Sequence, residues 1–134
     1  MLIWKDVHSV GKFEIDEEHK QIFDMINILD EQNKFDENVF TELLNLLEKH
    51  FENEECFMRD IGFPNYKFHE YIHKETLEII SQMRDELKTD KEKEKIQREL
   101  IKYLRDHIIN HILGDDKEYR EWYKIFLKEN GACD

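Results

Sequence analysis

The chain has 134 residues, which suffices for one hydrophobic core of ordinary size and is too short for two. Charged residues make up 39% of it, with four glycines and one proline, a composition that favours long helices and excludes a turn-rich β sandwich. The formal net charge of −12 repels phosphate backbones and anionic lipid headgroups, which excludes binding to nucleic acid or to a membrane surface.

Neither a membrane span nor a targeting segment is predicted. No stretch approaches the roughly 18 consecutive apolar residues that a transmembrane helix needs, and residues 1–6 lack the apolar run of a signal peptide. We therefore expect a cytoplasmic protein. We also expect it to be a monomer. Cys56 and Cys133 are expected to be free thiols, because a domain with a core of this size does not depend on a single disulfide.

The N-terminal 15 residues show no sustained hydrophobic period, which predicts an extended arm over 1–15. His8 lies in this arm, outside any inward stripe, and is expected at the surface. The first helix is expected to begin near Asp16, because apolar residues then recur at helical spacing and continue the stripe of His19. The apolar positions of this stripe are Ile22, Phe23, Ile26 and Leu29.

The second helix has clear expected boundaries. Asp36 is the predicted N-cap, and Gly62 with Pro64 is expected to close the helix. Between them, residues recur at steps of three or four and therefore share one helix face. They are Phe40, Leu43, Leu47, His50, Glu54, Phe57 and Ile61.

A third helix is predicted to start at Asn65 or its neighbour. Its inner stripe consists of Tyr66, His69, His73, Thr76, Ile80, Met83 and Leu87. Thr89 and Asp90 are the candidates for the N-cap of the fourth helix. The stripe of that helix consists of Ile96, Leu100, Leu104, His107 and His111. Gly114 is expected to end it as a left-handed C-cap.

A short fifth helix is expected over 115–130, with an aromatic packing face that includes Tyr119 and Trp122. The four main helices are of similar length and their connections are short, which forces neighbouring helices to run antiparallel. We therefore predict an all-α fold, an up-down-up-down four-helix bundle. The whole of 1–134 is expected to form one domain, with the bundle over 16–113.

Polar side chains interrupt the apolar stripes of two helices. His50 and Glu54 lie four residues apart in the second helix, and His69 and His73 do so in the third. Burying such groups without partners is costly, above all for a carboxylate. A metal ion is the simplest partner, because residues four apart project side by side and because imidazole with carboxylate suits iron, zinc or manganese. Each pair taken alone is equally consistent with a surface pair that binds no metal.

Candidate ligands on the other two helices give further support to a metal site. His19 lies on the stripe of the first helix and His111 on that of the fourth. Every helix of the bundle thus directs at least one candidate ligand inward.

These candidates occur in four motifs that run in order along nearly the whole chain. The motifs are Ile15-Asp16-Glu17-Glu18-His19-Lys20, His50-Phe51-Glu52-Asn53-Glu54-Glu55, His69 with His73, and His111-Ile112 followed by Asp116. In this order and spacing the chain resembles the hemerythrin family in its bacterial, single-domain form. Supporting features are Trp4, Val10-Gly11, Met58 and Gly62-Phe63-Pro64.

The resemblance implies a cofactor of two iron ions without haem. It assigns one iron to His69, His73 and His111. It assigns the other iron to His19 and His50. Glu54 and Asp116 would bridge the irons together with a solvent-derived oxo or hydroxo group. The iron with two histidines would keep one open position, which is where dioxygen would bind.

The candidate walls of the oxygen pocket are Ile22, Phe51, His107 and Ile112. His107 departs from the family, whose members typically carry tryptophan one turn before the ligand that aligns with His111. Three interpretations of His107 stay open: a pocket wall hydrogen-bonded to a neighbour, an inward residue that admits water or donates a proton, and an additional ligand. Glu70 is expected to be a solvated residue, and Cys56 a packed or half-buried thiol.

The function implied by the resemblance is reversible dioxygen binding, for oxygen carriage, storage or scavenging, in a protein that is not an enzyme. The alternative is a di-iron redox enzyme or an oxygen or redox sensor that uses the same site, for example with peroxide or nitric oxide.

Overall fold

Five α-helices make up most of the structure. The computed structural model describes residues 2–32, 34–89 and 92–130, and the regular secondary structure in these ranges is helical throughout. The helices are α1 (Phe13–Glu31), α2 (Glu37–Asp60), α3 (Tyr66–Thr89), α4 (Lys93–Asn110) and α5 (Asp116–Glu129). A 3₁₀ turn (Asp6–His8) precedes α1, and a π-helical turn (His111–Asp115) joins α4 to α5.

The first four helices form a closed bundle. Helix α1 packs against α2 and α4, and α3 packs against the same two helices. Because the connections are short, consecutive helices run antiparallel, and the predicted up-down-up-down bundle is confirmed. None of the described helices is both long and apolar enough to span a membrane.

Helix α1 begins at Phe13, three residues earlier than predicted. Asp16, the expected start, instead holds the arm in place from within the first turn. Its carboxylate accepts hydrogen bonds from the Ser9 hydroxyl (2.5 Å) and from the backbone N–H of Val10 (2.9 Å). This resembles the bonding of an N-cap, which is why the sequence pattern alone located the helix start one turn too late.

The predicted boundaries of α2 are confirmed. The Asp36 side chain accepts a hydrogen bond from the backbone N–H of Val39 (3.1 Å), as an N-cap does. At the other end Gly62 has a φ of +67°, a conformation that glycine adopts without steric cost. The backbone N–H of Phe63 can then donate to the carbonyl oxygen of Met58 (2.9 Å), which closes the helix.

The predictions for the two ends of α4 were wrong. Thr89 belongs to α3, and Glu92 takes the N-cap position of α4, while Asp90 lies outside the described residues. Gly114 does not adopt a left-handed conformation, since only Gly11 and Gly62 have positive φ among the described residues. The chain instead stays helical through the π turn into α5.

The apolar core is divided into two clusters. The larger fills the bundle and includes Ile22, Phe51, Leu100 and Leu104. The smaller lies where the arm and α5 cover the end of the bundle, and consists of Val10, Ile15, Met58, Ile61, Phe63 and Tyr119. The buried polar residues of α1 and α2 lie between these two clusters, as His19 does between Ile15 and Ile22.

The arm packs more tightly than its sequence indicated. His8 is 5% exposed, so the prediction that it lies at the surface was wrong. Its Nδ1 accepts a hydrogen bond from the backbone N–H of Lys5 (2.9 Å), and its ring contacts those of Trp4 and Phe23. Burial here comes from docking onto α1, which a search for helical period does not detect.

The prediction that the Cys56 thiol is packed or half-buried was also wrong, because this residue is exposed. Cys133 lies outside the described residues.

Candidate metal centre

Seven polar side chains meet in the interior of the bundle, and each is at most 4% exposed. All seven were singled out from the sequence, and the structure brings all of them together. They are His19, His50, Glu54, His69, His73, His111 and Asp116.

Local helix geometry explains how most of these side chains converge. The pairs His50/Glu54 and His69/His73 lie one helical turn apart, so each pair projects from one face. His111 and Asp116 are five residues apart, which on a regular α-helix separates their directions by about 140°. The π-helical turn that starts at His111 has the i to i+5 bonding pattern, which returns the fifth residue toward the same side.

The carboxylate of Glu54 lies between two groups of histidines. Its Oε1 is 3.0 Å from His69 Nε2, 2.9 Å from His73 Nε2 and 3.6 Å from His111 Nε2. Its Oε2 is 3.4 Å from the Nε2 atoms of both His19 and His50. One oxygen therefore faces a group of three imidazoles and the other a group of two.

The two carboxylate oxygens of Asp116 also face different histidine groups. Its Oδ1 lies 2.9 Å from His69 Nε2 and 3.0 Å from His111 Nε2. Its Oδ2 lies 3.3 Å from His19 Nε2. Both carboxylates thus lie between the histidine groups and have oxygens close to imidazole nitrogens of each group.

Several atoms of this cluster lack the hydrogen bonds that buried polar atoms normally make. His19 Nε2 and both carboxylate oxygens of Asp116 have no hydrogen-bond partner of acceptable geometry, although nitrogen and oxygen are close. Separations near 3 Å are those of neighbouring ligands on a metal ion with bonds of about 2.1 Å. His73 Nε2 also lies 3.0 Å from His111 Nε2. These donor atoms fit a metal centre better than a network of hydrogen bonds.

Two carboxylates outside the cluster orient the imidazoles. Glu18 Oε1 is 3.0 Å from Nδ1 of His50, and Asp115 Oδ2 is 3.0 Å from Nδ1 of His111. A bond at Nδ1 keeps the proton on that nitrogen and leaves Nε2 free to bind a metal. Neither carboxylate was predicted from the sequence to have this role. The spacing of Asp115 four residues after His111 was the available signal.

Tyr119 makes a further contact with the cluster that was not predicted from the sequence, where this residue was expected on the packing face of the fifth helix. Its hydroxyl is fully buried and donates a 2.8 Å hydrogen bond to Glu54 Oε2. Burial and the nearby charges of Glu54 and Asp116 hold the pKa of Tyr119 well above its usual value, so it remains a donor at physiological pH.

In the metal-free protein, the buried carboxylates shift the titration of the histidines. Burial alone would lower the pKa of His19 and of His69, but the hydrogen bonds and charges of Asp116 and Glu54 outweigh it and raise each pKa to about 9. In return, the histidines hold the pKa values of both carboxyl groups below their usual range, although burial opposes this. Protons on imidazole thus offset the buried negative charge when no metal does.

These shifts predict that metal-free protein loses stability as the pH rises from about 6.5 to 9. The pKa values of His19 and His69 are raised above 6.5, so their contribution is complete below 6.5 and is lost as the pH rises through about 9. Metal-loaded protein should not show this loss, because a metal replaces the protons. Denaturant unfolding of both forms at pH 6.5 and 9 tests the expectation, and an equal pH response of the two forms would contradict it.

Replacing Tyr119 with phenylalanine is expected to weaken metal binding about tenfold or more, because it removes a donor that fixes Glu54 while keeping the ring. The measurement is a metal titration against a competing chelator. Tyr123→Phe is the matched control, since Tyr123 lies on the same helix and packs against Phe57. Equal affinities in the two variants would show that the Tyr119 hydroxyl does not support the centre.

The four candidate pocket residues lie beside the cluster or in the adjoining core. Ile22, Phe51 and Ile112 are buried, and the Phe51 ring stacks on that of His73 with 4.0 Å between ring centroids. His107 is half-buried, and its Nε2 lies 2.8 Å from the Thr76 hydroxyl. Of the three interpretations of His107, this contact favours a wall residue that is hydrogen-bonded to a neighbour.

Comparison with known proteins agrees with this arrangement. A family model described as the Hemerythrin HHE cation binding domain matches residues 11–123. A bacteriohemerythrin of Pseudomonas paraeruginosa is 32% identical over 133 residues, which cover 96% of this chain and 85% of the relative. A bacteriohemerythrin of Stenotrophomonas maltophilia is 28% identical over 134 residues, with 96% and 86% covered.

Two further similarities extend the comparison. A hemerythrin-like protein of Naegleria gruberi is 32% identical over 117 residues, which cover 87% of this chain and 89% of the relative. The crystal structure of a hemerythrin mutant superposes with a TM-score of 0.81 at 21% identity, and the match covers 91% of this chain and 96% of that one. The structural match supports the same bundle fold.

Proposed function

The chain belongs to the hemerythrin family, and we propose that it binds dioxygen reversibly at a non-haem di-iron centre. The observation that carries this proposal is the sharing of two buried carboxylates by a group of three histidines and a group of two. A single tetrahedral zinc site would use no more than four of these seven side chains.

We assign the ligands by these groups. One iron would be held by His69, His73 and His111. The other would be held by His19 and His50. Glu54 and Asp116 would bridge them, since each has one carboxylate oxygen directed to each side. The side with two histidines supplies one protein ligand fewer, so we assign the open position for dioxygen to it.

Bound iron supplies the redox chemistry of dioxygen binding, and the chain's own residues control its surroundings. The two buried carboxylates provide two negative charges and the neutral imidazoles none, so the protein's own ligands would offset half of the charge of two divalent cations. Ile22 and Phe23 are at most 2% exposed and, with the nearby ring of Trp4, cover the His19 side of the cluster. Excluding water there favours release of dioxygen over its irreversible reduction.

The proposal is tested with reduced, anaerobic, iron-loaded protein. We expect it to gain a visible absorption band on exposure to dioxygen and to lose the band under vacuum, with dioxygen recovered unchanged. Consumption of dioxygen, peroxide or nitric oxide over many turnovers would support the alternative of a redox enzyme instead. Protein that takes up no dissolved oxygen in this experiment would not be an oxygen carrier.

We also expect the protein to be located in the cytoplasm.

Replacing His107 with tryptophan is expected to slow autoxidation of the oxygenated protein several-fold. His107 lies one turn before His111, with parallel rings 6.5 Å apart, and its imidazole is more polar than an indole. A drier wall admits less water and supplies fewer protons to bound oxygen. The measurement is decay of the oxygenated absorption band in air. Equal rates for the variant and the wild type would show that His107 is a packed wall with no influence on oxygen.

A further inference from the structure

A groove of about 650 Å³ runs between α2 and α3 and leads to the metal centre. Carboxylates dominate its charged lining. Its charged residues are Glu48, Glu52, Glu55, Glu70, Glu78, Lys67 and Lys74. Five acidic side chains against two basic ones give the groove a negative potential that attracts cations.

His73 forms the floor of this groove. Its imidazole is 2% exposed, and its Nε2 faces the cluster, 2.9 Å from Glu54 Oε1. Its other nitrogen, Nδ1, is buried without a hydrogen-bond partner and lies 3.8 Å from Glu55 Oε1. Both His73 and Glu55 line the groove, so a single imidazole ring separates it from the cluster.

The contact at His73 differs from those of His50 and His111. In those two histidines Nδ1 is bound at 3.0 Å by a carboxylate, which fixes the ring. The carboxylate of Glu55 stands farther away, at a distance that leaves room for a cation between it and Nδ1. An imidazole nitrogen and a carboxylate oxygen are a suitable donor pair for a first-row divalent ion.

We propose that this groove is the route by which ferrous ion reaches the centre, and that the Glu55 carboxylate and His73 Nδ1 bind the ion just before it enters the cluster. The imidazole proton lies on Nε2 while the ion is at Nδ1, and it moves to Nδ1 when the ion passes to Nε2. The inference rests on the proposed function, because it presupposes that the cluster binds iron. The acidic residues attract the hydrated cation, and Glu55 with His73 replaces part of its water shell. Acidic residues that only line a route stabilise the ion while it passes, and therefore lower the barrier for entry and the barrier for exit by the same amount. Removing them should slow loading and release by the same factor and leave the final iron content unchanged.

The test compares two full-length triple variants of equal net charge. The groove variant carries Glu52→Gln, Glu55→Gln and Glu70→Gln. The control variant carries three such changes at exposed positions outside the groove lining, Glu14→Gln, Glu94→Gln and Glu99→Gln. Loading is followed by adding ferrous ion to metal-free protein under anaerobic conditions. Release is followed by adding a chelator to reduced, loaded protein, which makes that arm independent of how well metal-free protein folds.

We expect both rates of the groove variant to fall by a factor of about 10 and those of the control to stay within about twofold of the wild type. Equal rates in all three proteins, or an equal fall in both variants, would overturn the route. Slower loading with faster release would also overturn the route, because that result is expected when the cluster has a lower affinity for metal. Failure of wild-type protein to bind iron at all would instead refute the proposed function.

Discussion

Replacing Glu54 with alanine is expected to remove both metal ions from the protein. The Glu54 carboxylate has one oxygen facing three histidines and the other facing two, so its loss takes a ligand from each side at once. It also removes one of two buried negative charges that offset the cations. We expect iron content to fall from about two per chain to less than about 0.2, measured on anaerobically loaded and desalted protein.

His19→Ala is the control variant for this result, because it changes only one side of the cluster. His19 Nε2 lies near Glu54 Oε2 and Asp116 Oδ2, the oxygens on the side with two histidines. Its loss should weaken that side alone and leave about one iron per chain. Two irons retained by Glu54→Ala, with normal dioxygen uptake, would show that Glu54 does not bridge. Loss of one iron in both variants would contradict the division into two sides.

Removing the metal is expected to lower the melting temperature by about 10 °C or more. Seven polar side chains, none more than 4% exposed, then lie in the core without the ions that hold them together. A ligand present at about 1,000 times its dissociation constant stabilises a protein by about 4 kcal/mol. For a domain of this size, that free energy corresponds to a shift of roughly 10 to 16 °C.

The measurement compares chelator-treated protein with the same sample after reloading with ferrous ion, followed by circular dichroism. Recovery of the higher melting temperature on reloading excludes damage by the chelator. The expectation also requires that added zinc, which suits four ligands, restores less of the shift than iron. A metal-free form that melts no lower than the loaded form would show that the seven side chains are satisfied by one another.

The helices and six of the seven cluster residues could be predicted from local spacing, whereas Asp116 was assigned only by the resemblance to the hemerythrin family. Apolar residues at steps of three and four mark a buried helix face, and His50, Glu54, His69 and His73 interrupt such faces at the same steps. Helix ends were predictable where a side chain or a glycine bonds its own backbone, as at Asp36 and Gly62.

Other features depended on contacts between segments far apart in the chain. Tyr119 reaches Glu54 across 65 positions, and Glu18 reaches His50 across 32. No short period encodes such pairs, because they form only when packed helices bring the two side chains together. The burial of His8 has the same origin, in the docking of an irregular arm onto α1.

The chain near Gly114 shows the limit of local reasoning most clearly. By itself a glycine after an apolar stripe predicts a helix end. In the folded protein the helix continues through a π turn, which directs His111 and Asp116 to the same buried cluster. The sequence by itself determined which residues form the buried polar cluster and which helix faces they occupy. Only the tertiary structure decided their partners and the path of the backbone, because a buried charged group must be satisfied wherever in the chain its partners lie.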